Sequence, residues 1–546
     1  LIASAKFTTV TMNTFKTPDL TNWLVGLVEN TKVTKKDNLG NPAITREVGT
    51  TYFPGKTGRV QTQVIEPSGT PELKLTTAFT YDAFGNPATK TTIWQDLQTG
   101  QPQSAVEQTV FEGYGRFPST ITNAVNHTET RTYSDRNGVM TRLVGPNLLA
   151  TDWTLDAFGR VIEERRADGT STKKYRKQCG AACPIADATY VEISDNFKDA
   201  DRIAVPTMAY MNSAGQLRRS QTWGFDGTAI FADKAYDSRG RLEQEWQPRF
   251  ENGAAELARS VEYDDLNRVV NTVTYDQVNP STGNATRADY NGFTQVHTTP
   301  KSQRRTDRRD VLSRVQRTTD DANKNTDFSY DVFGNLTKTI DPNTNEIKVE
   351  YDILGRKKKL TDPNLGLIEY FMDARGLVWR QQSPKQRLAA QFSRTEYDLL
   401  GRMIGRYEPD LESHWVYDTA TTGKGQLAEA YTGTPTNKDY RRIHAYDSLG
   451  RPSLTTQYLS DGAYTRATEY DIWGRVITET YQRGNDEAKI FQARYNAYGY
   501  LAQWQRAATT APTAIPAIVL WRLTEQSAAQ QPVVSRFGNN LTEIRD

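Results

Sequence analysis

A short phrase recurs along this chain of 546 residues: Tyr-Asp, two variable residues, Gly, then Arg or Asn. Copies stand at Tyr81-Asp82-Ala83-Phe84-Gly85-Asn86, Tyr330-Asp331-Val332-Phe333-Gly334-Asn335 and Tyr351-Asp352-Ile353-Leu354-Gly355-Arg356. Others are Tyr397-Asp398-Leu399-Leu400-Gly401-Arg402, Tyr446-Asp447-Ser448-Leu449-Gly450-Arg451 and Tyr470-Asp471-Ile472-Trp473-Gly474-Arg475. A phrase returning every ~20–30 residues specifies a structure built by stacking one unit, a stronger constraint than any local propensity. It also turns the search for function away from a single pocket.

The unit reads as strand, turn, strand. Lys348-Val349-Glu350-Tyr351 alternates polar and apolar residues, as a half-buried strand does. The carboxylate of Asp352 can accept backbone N–H groups two residues on and so start a turn. Gly355 falls where a tight reversal needs positive φ, and Arg356 opens the next strand. Tyrosines at matching places would line up as a ladder of rings when the hairpins stack. Degenerate copies keep the spacing: Leu155-Asp156-Ala157-Phe158-Gly159-Arg160 loses the Tyr, and Tyr263-Asp264-Asp265-Leu266-Asn267-Arg268 puts Asn in the Gly place. Asn is the next most tolerant residue there. Asp341-Pro342-Asn343 and Asp362-Pro363-Asn364 read as turns at the opposite ends of two units. Helical periodicity is nearly absent, so the expected class is all-β, an antiparallel strip of hairpins.

Composition agrees with a thin sheet. Hydrophobic residues are 37%, below the ~45–50% of ordinary soluble domains, yet aromatics reach 10% with 27 Tyr and 10 Trp, which disorder lacks. Lys plus Arg (67) nearly balances Asp plus Glu (65), so no strongly basic face for nucleic acid is expected. Arg304-Arg305, Arg308-Arg309 and the run Arg356 to Lys359 read as solvated strand edges. No apolar run approaches the ~18 residues that would span a membrane. The start at Leu1, without a leader pattern, suggests a piece of something longer. Cys179 and Cys183, in Cys-Gly-Ala-Ala-Cys, read as a local disulfide or two inert thiols, since no further ligands complete a zinc site. Three segments follow: degenerate repeats over 1–75, the repeat array over 76–505 with an irregular insertion at about 175–235, and an Ala/Thr/Pro-rich linker with a last faint repeat over 506–546.

The repeated phrase, over about Thr76 to Leu501, resembles the signature of the Rhs/YD-repeat family. The opening Thr21-Asn22-Trp23-Leu24-Val25-Gly26-Leu27 is similar to the entry of the repeat array in large bacterial insecticidal toxins of the Tc B-component kind and in polymorphic toxins. The resemblance implies a β-hairpin strip wound into a spiral, hollow shell, of which this chain would be a fragment. It implies a secreted or cell-surface protein whose partners are a C-terminal toxin cargo, the remaining shell segments and a translocation or secretion apparatus. Teneurins share such a shell and use it in adhesion, so an adhesin or carbohydrate-binding surface protein, with glycans as partners, is the alternative. The family's self-cleaving aspartate segment has no counterpart before Asp546, so no autoproteolytic residues carry over.

No enzyme motif emerges, so the expectation is a non-enzyme with no cofactor and no metal. Pro54-Gly55-Lys56-Thr57-Gly58 lacks the spacing of a phosphate loop and reads as a turn. Gly423-Lys424-Gly425 lies in no βαβ unit. His127, His297, His414 and His444 form no pair, and no Gly-x-Ser-x-Gly elbow occurs. The repeated carboxylates share one environment, whereas acid–base catalysis needs two unlike ones. The residues singled out are therefore structural: Tyr81, Asp82 and Gly85; Tyr330, Asp331 and Gly334; and the Tyr, Asp, Gly and Arg of the Tyr351, Tyr397, Tyr446 and Tyr470 copies. In these, Arg356, Arg402, Arg451 and Arg475 would stack on rings or pair with acids.

Overall fold

The computed structural model describes residues 6–55, 57–276, 281–508 and 516–545. These residues form a 45-stranded sheet in which successive strands pair antiparallel, as in Asn325–Tyr330, Leu336–Ile340, Glu346–Tyr351 and Lys357–Asp362. In strands such as Val60–Ile65 and Glu346–Tyr351, Val and Tyr pack on one face while the polar residues between them stay wet. Among the described residues the single α-helix is Pro384–Leu388, started where Ser383 and Gln386 cap each other reciprocally.

Little of the stability comes from an oily interior. Buried apolar side chains include Trp94, Ile230, Val261, Val332 and Leu523, alongside several alanines. Buried polar ones include Asp195, Arg219, Asp233, Asp307, Asp310 and Asp373. The chain exposes 32105 Å² of surface, where a globular protein of its mass would expose about 20,000 Å². Stability therefore rests on ladder hydrogen bonds and on paired charges within the sheet.

Residues around 175–235 continue the ladder through Thr170–Gln178, Ala188–Lys198, Thr207–Asn212, Leu217–Trp223 and Ala229–Tyr236. Cys179 and Cys183 are joined at a hairpin tip, with their Cα atoms 5.0 Å apart. In the Ala/Thr/Pro-rich segment, residues 509–515 lie outside the described residues. Beyond them Ile518–Gln526 pairs with Leu501–Arg506 and Pro532–Phe537. The apolar run Ile518-Val519-Leu520-Trp521, followed by Arg522 and the buried Leu523, supplies that strand.

Contacts divide the chain into two units. One comprises Leu1–Glu129, Ala288–Trp415 and Thr432–Asn437; the other comprises Thr130–Arg287, Val416–Tyr431 and Lys438–Asp546. Each unit thus holds an early run of the strip lying against a late run.

Candidate functional site

The repeat forms a corner on one edge of the strip. At Asp352–Arg356 the N–H of Gly355 donates to the Asp352 carbonyl at 3.0 Å, and the N–H of Asp352 to the Arg356 carbonyl at 2.9 Å. Gly355 has φ +83°, and strand pairing resumes one residue late, at Tyr351↔Lys357. This is a type I turn closed by a left-handed Gly with a one-residue bulge, which is why the position tolerates little else. Oδ1 of Asp352 accepts the N–H groups of Leu354 (3.0 Å) and Arg356 (2.9 Å), while Oδ2 accepts Nε of Arg356 (2.6 Å). Asp398, Asp447 and Asp471 hold Arg402, Arg451 and Arg475 in the same way. At Asp82 and Asp331 the amides of Asn86 and Asn335 replace the guanidinium. Gly85, Gly334, Gly401, Gly450 and Gly474 all have positive φ, and Asn267 sits at +63° in the Gly place.

Further bonds link corners to their neighbours along the strip. The tyrosine reaches back: the hydroxyl of Tyr351 donates to the Leu336 carbonyl at 3.0 Å, Tyr330 to Val315 at 2.8 Å, and Tyr397 to Val378 at 2.9 Å. Tyr81, Tyr446 and Tyr470 reach Val60, Leu427 and Pro452 likewise. The guanidinium reaches forward, with Nη1 of Arg356 donating to the Asp373 carbonyl at 2.7 Å and Nη1 of Arg475 to Gly499 at 3.1 Å. It then lies over the next ring: Arg451 is 4.5 Å from the centroid of Tyr470, and Arg475 is 4.1 Å from that of Tyr495. In these pairs the neighbour of a repeat ring is a cation rather than the next ring of a ladder.

This geometry sets the protonation of the corners. The N–H groups of Arg241 and Arg268 are the main cause holding Asp237 and Asp264 below the usual carboxylate range; at Asp156 the guanidinium of Arg160 is. Burial pushes the hydroxyls of Tyr330, Tyr351 and Tyr397 up, so they stay protonated and donate. A carboxylate whose folded pKa is depressed stabilises the fold above its unfolded value, about 3.9, and that contribution is lost as pH falls through the folded value. Far-UV circular dichroism should therefore hold steady from neutral pH to about pH 4 and decline below it. A decline already complete above about pH 5 would assign acid sensitivity to other groups.

Two further corners depart more widely from the phrase. At Asp310-Val311-Leu312-Ser313-Arg314, Arg309 replaces the Tyr and Ser313 takes the left-handed place at φ +63°. Asp310 is fully buried and accepts the N–H groups of Leu312 and Arg314 and the Nε of Arg314. At Glu112-Gly113-Tyr114-Gly115-Arg116 a glutamate does the same work for the N–H groups of Tyr114 and Arg116. The surviving signal in both is an acid four residues before an arginine.

Antiparallel order puts the repeat corners on one edge of the strip and the remaining loops on the other. Within the first unit, late-run corners meet early-run loops. Asn41 donates to the Tyr330 carbonyl, Arg46 to Ile353, and Arg356 to Glu72, across 284 to 307 residues of sequence. Arg46 also lies 3.7 Å from the centroid of the Phe333 ring, and Arg375 4.1 Å from that of Trp94. Within the second unit, Asn147 and Lys424 exchange two bonds, Asn496 donates to the Phe225 carbonyl, and Tyr500 to Trp223, across 271 to 277 residues. The tips of early-run corners stay open: Phe84, Tyr114, Phe158 and Leu266 are 61–83% exposed.

Among the described residues no three His, Cys, Asp or Glu side chains are grouped to hold a metal ion, and no helix is long and apolar enough to cross a membrane. His414 meets Glu412 of the same strand at 2.7 Å, and His444 meets Thr455 across a strand pair at 3.1 Å. Gly55 and Gly58 both take positive φ, and Lys56 between them lies outside the described residues.

Residues 309–346, which contain the corners at Asp310 and Asp331, match the family model for the RHS Repeat. That stretch carries the RHS repeat. No curated relative matches the sequence. Among solved structures, the chain is similar to the crystal structure of TcdB2-TccC3, with a TM-score of 0.75 at 15% identity, over 100% of this chain and 35% of that one. It is equally similar to TcdB2-TccC3 without its hypervariable C-terminal region (TM-score 0.75, 13% identity, 100% of this chain and 37% of that one). A Tc holotoxin pore of Photorhabdus luminescens gives the same score at 13% identity, over 99% of this chain and 36% of that one. The strip therefore has the fold of these proteins, and the chain spans about a third of their length.

Proposed function

We propose that this chain is a wall segment of a bacterial toxin shell of the Tc kind: a strip wound as a spiral around a hollow that shields a C-terminal toxic cargo until delivery. The observation that carries this reading is the seam inside each unit. A strip whose corner edge fits its own loop edge some 271 to 307 residues earlier is a strip made to lie beside itself. The likeness to TcdB2-TccC3 supports the same reading, since one solved form of that protein is described as lacking a hypervariable C-terminal region. In this reading the wall does no chemistry. The repeat residues from Tyr81 to Arg475 serve as braces, and the corners present one environment many times rather than a pair of unlike acids.

Electron microscopy of the full-length parent should show a hollow particle with density inside. Limited proteolysis should spare the cargo until the wall is cut. A solid globule, an open rod, or a cargo cleaved as fast as a free peptide would overturn the proposal.

A further inference from the structure

Strand Thr170–Gln178 is paired on both sides for only part of its length. Against Val161–Arg166 the register runs Arg165↔Ser171, Glu164↔Thr172, Glu163↔Lys173 and stops. Against Ala188–Lys198 it continues to the end, through Lys174↔Ser194 and Gln178↔Tyr190. Lys174 to Gln178 thus turn one row of backbone N–H and C=O groups towards no strand among the described residues, and all five residues are exposed. Where the two strands part, a cleft of about 840 Å³ opens, with Val161 and Ile162 on one wall and the strand from Lys173 to Lys177 on the other.

The charge in this cleft is not balanced. Arg160 is held by Asp156 at 2.6 Å and Arg176 by Glu192 at 2.6 Å, while the ammonium of Lys173 sits 4.6 Å from the centroid of the Phe197 ring. Lys174 and Lys177 have no acidic partner among the described residues. Alternation along a strand puts them on opposite faces.

We propose that this open edge takes an extended, acidic peptide strand from a protein partner, its backbone completing the ladder beside Lys174–Gln178 and its carboxylates meeting Lys174 and Lys177. An unpaired edge supplies main-chain bonds to any extended chain, and side chains decide which chain is accepted. Edge lysines can also serve only to repel other strands. Here the edge faces a second, partly apolar wall, and the two unpaired cations select for acids. The proposal is independent of the shell reading, because it rests on one hairpin.

The probe is a short fluorescein-labelled peptide of valines with two glutamates three residues apart, which puts one carboxylate on each face, titrated with the whole chain and followed by anisotropy. Saturable binding is expected, weakened about tenfold or more in the Lys174→Glu, Lys177→Glu double variant. That variant should keep its thermal midpoint, since both side chains are exposed. The same peptide with lysines in place of the two glutamates should not bind. Two N-methylated forms of the acidic probe, blocked at odd or at even positions, separate pairing from mere attraction, because only one set of N–H groups faces the edge. Loss with one form and retention with the other supports the proposal. Equal binding of both forms, no saturable binding, or binding unchanged in the double variant would each overturn it.

Discussion

Replacing Asp310 by alanine is expected to be the most damaging single change at any corner, with a loss of about 3–5 kcal/mol. Asp310 is fully buried, and its carboxylate is the only acid paired with Arg314 among the described residues, at 2.7 Å. Without it the N–H groups of Leu312 and Arg314 lose their acceptor, and a half-buried guanidinium loses its counter-charge. The damage should spread along the strip. Arg314 donates to the Asp331 carbonyl at 3.1 Å and lies 4.9 Å from the centroids of both Tyr330 and Phe7. Hydrogen exchange should therefore quicken at 310–314 and also at 330–335. Asp310→Asn keeps an oxygen for the backbone donors and gives up the charge, so its urea midpoint should fall between those of alanine and wild type. A midpoint for Asp310→Ala within error of wild type would show that the corner carboxylates do not brace the strip.

The second large effect is expected at the seam. Gly227 has φ +85°, and the ring and hydroxyl of Tyr498 occupy the space a side chain would need. Gly227→Val places a β-branched residue in left-handed backbone, at a cost of about 1–2 kcal/mol, and drives Tyr498 away. Tyr498 stands beside Asn496 and Tyr500, which hold Phe225 and Trp223 at 2.8 and 2.6 Å. Exchange should rise at 223–228 and, together with it, at 496–500. Adding Tyr498→Ala removes the collision and leaves the backbone cost, so the double variant should recover part of the lost stability. Unchanged exchange at 496–500 would mean that the two runs do not depend on each other there.

These two sites also mark what a sequence reader can and cannot see. The hairpin strip is legible because its instructions are local. Asp352 and Gly355 fix a turn within five residues, and Lys348 to Tyr351 alternates visibly beside it. The corner at Asp310 hides because its neighbours differ in name: Arg309 stands for Tyr and Ser313 for Gly, while the surviving Asp-to-Arg spacing carries the geometry. The expected ladder of rings gives way to guanidinium over ring, because the Arg that closes one turn is long enough to reach the following Tyr. The seam is invisible for a different reason. Arg46 and Ile353 meet across 307 residues, and nothing in either stretch names the other. Nor does composition reveal that Lys174 to Gln178 lacks a neighbour on one side, since that depends on where Val161–Arg166 ends its pairing.

The seam also limits how such a gene can grow or shrink. A hairpin inserted or deleted between Arg46 and Ile353, or between Phe225 and Asn496, would put every later corner out of phase with the loop it meets. Point substitutions can drift at the exposed variable places of the phrase, such as Phe84 and Phe158. Changes in length must arrive as matched pairs, one in each run, or be confined to loop tips that touch nothing.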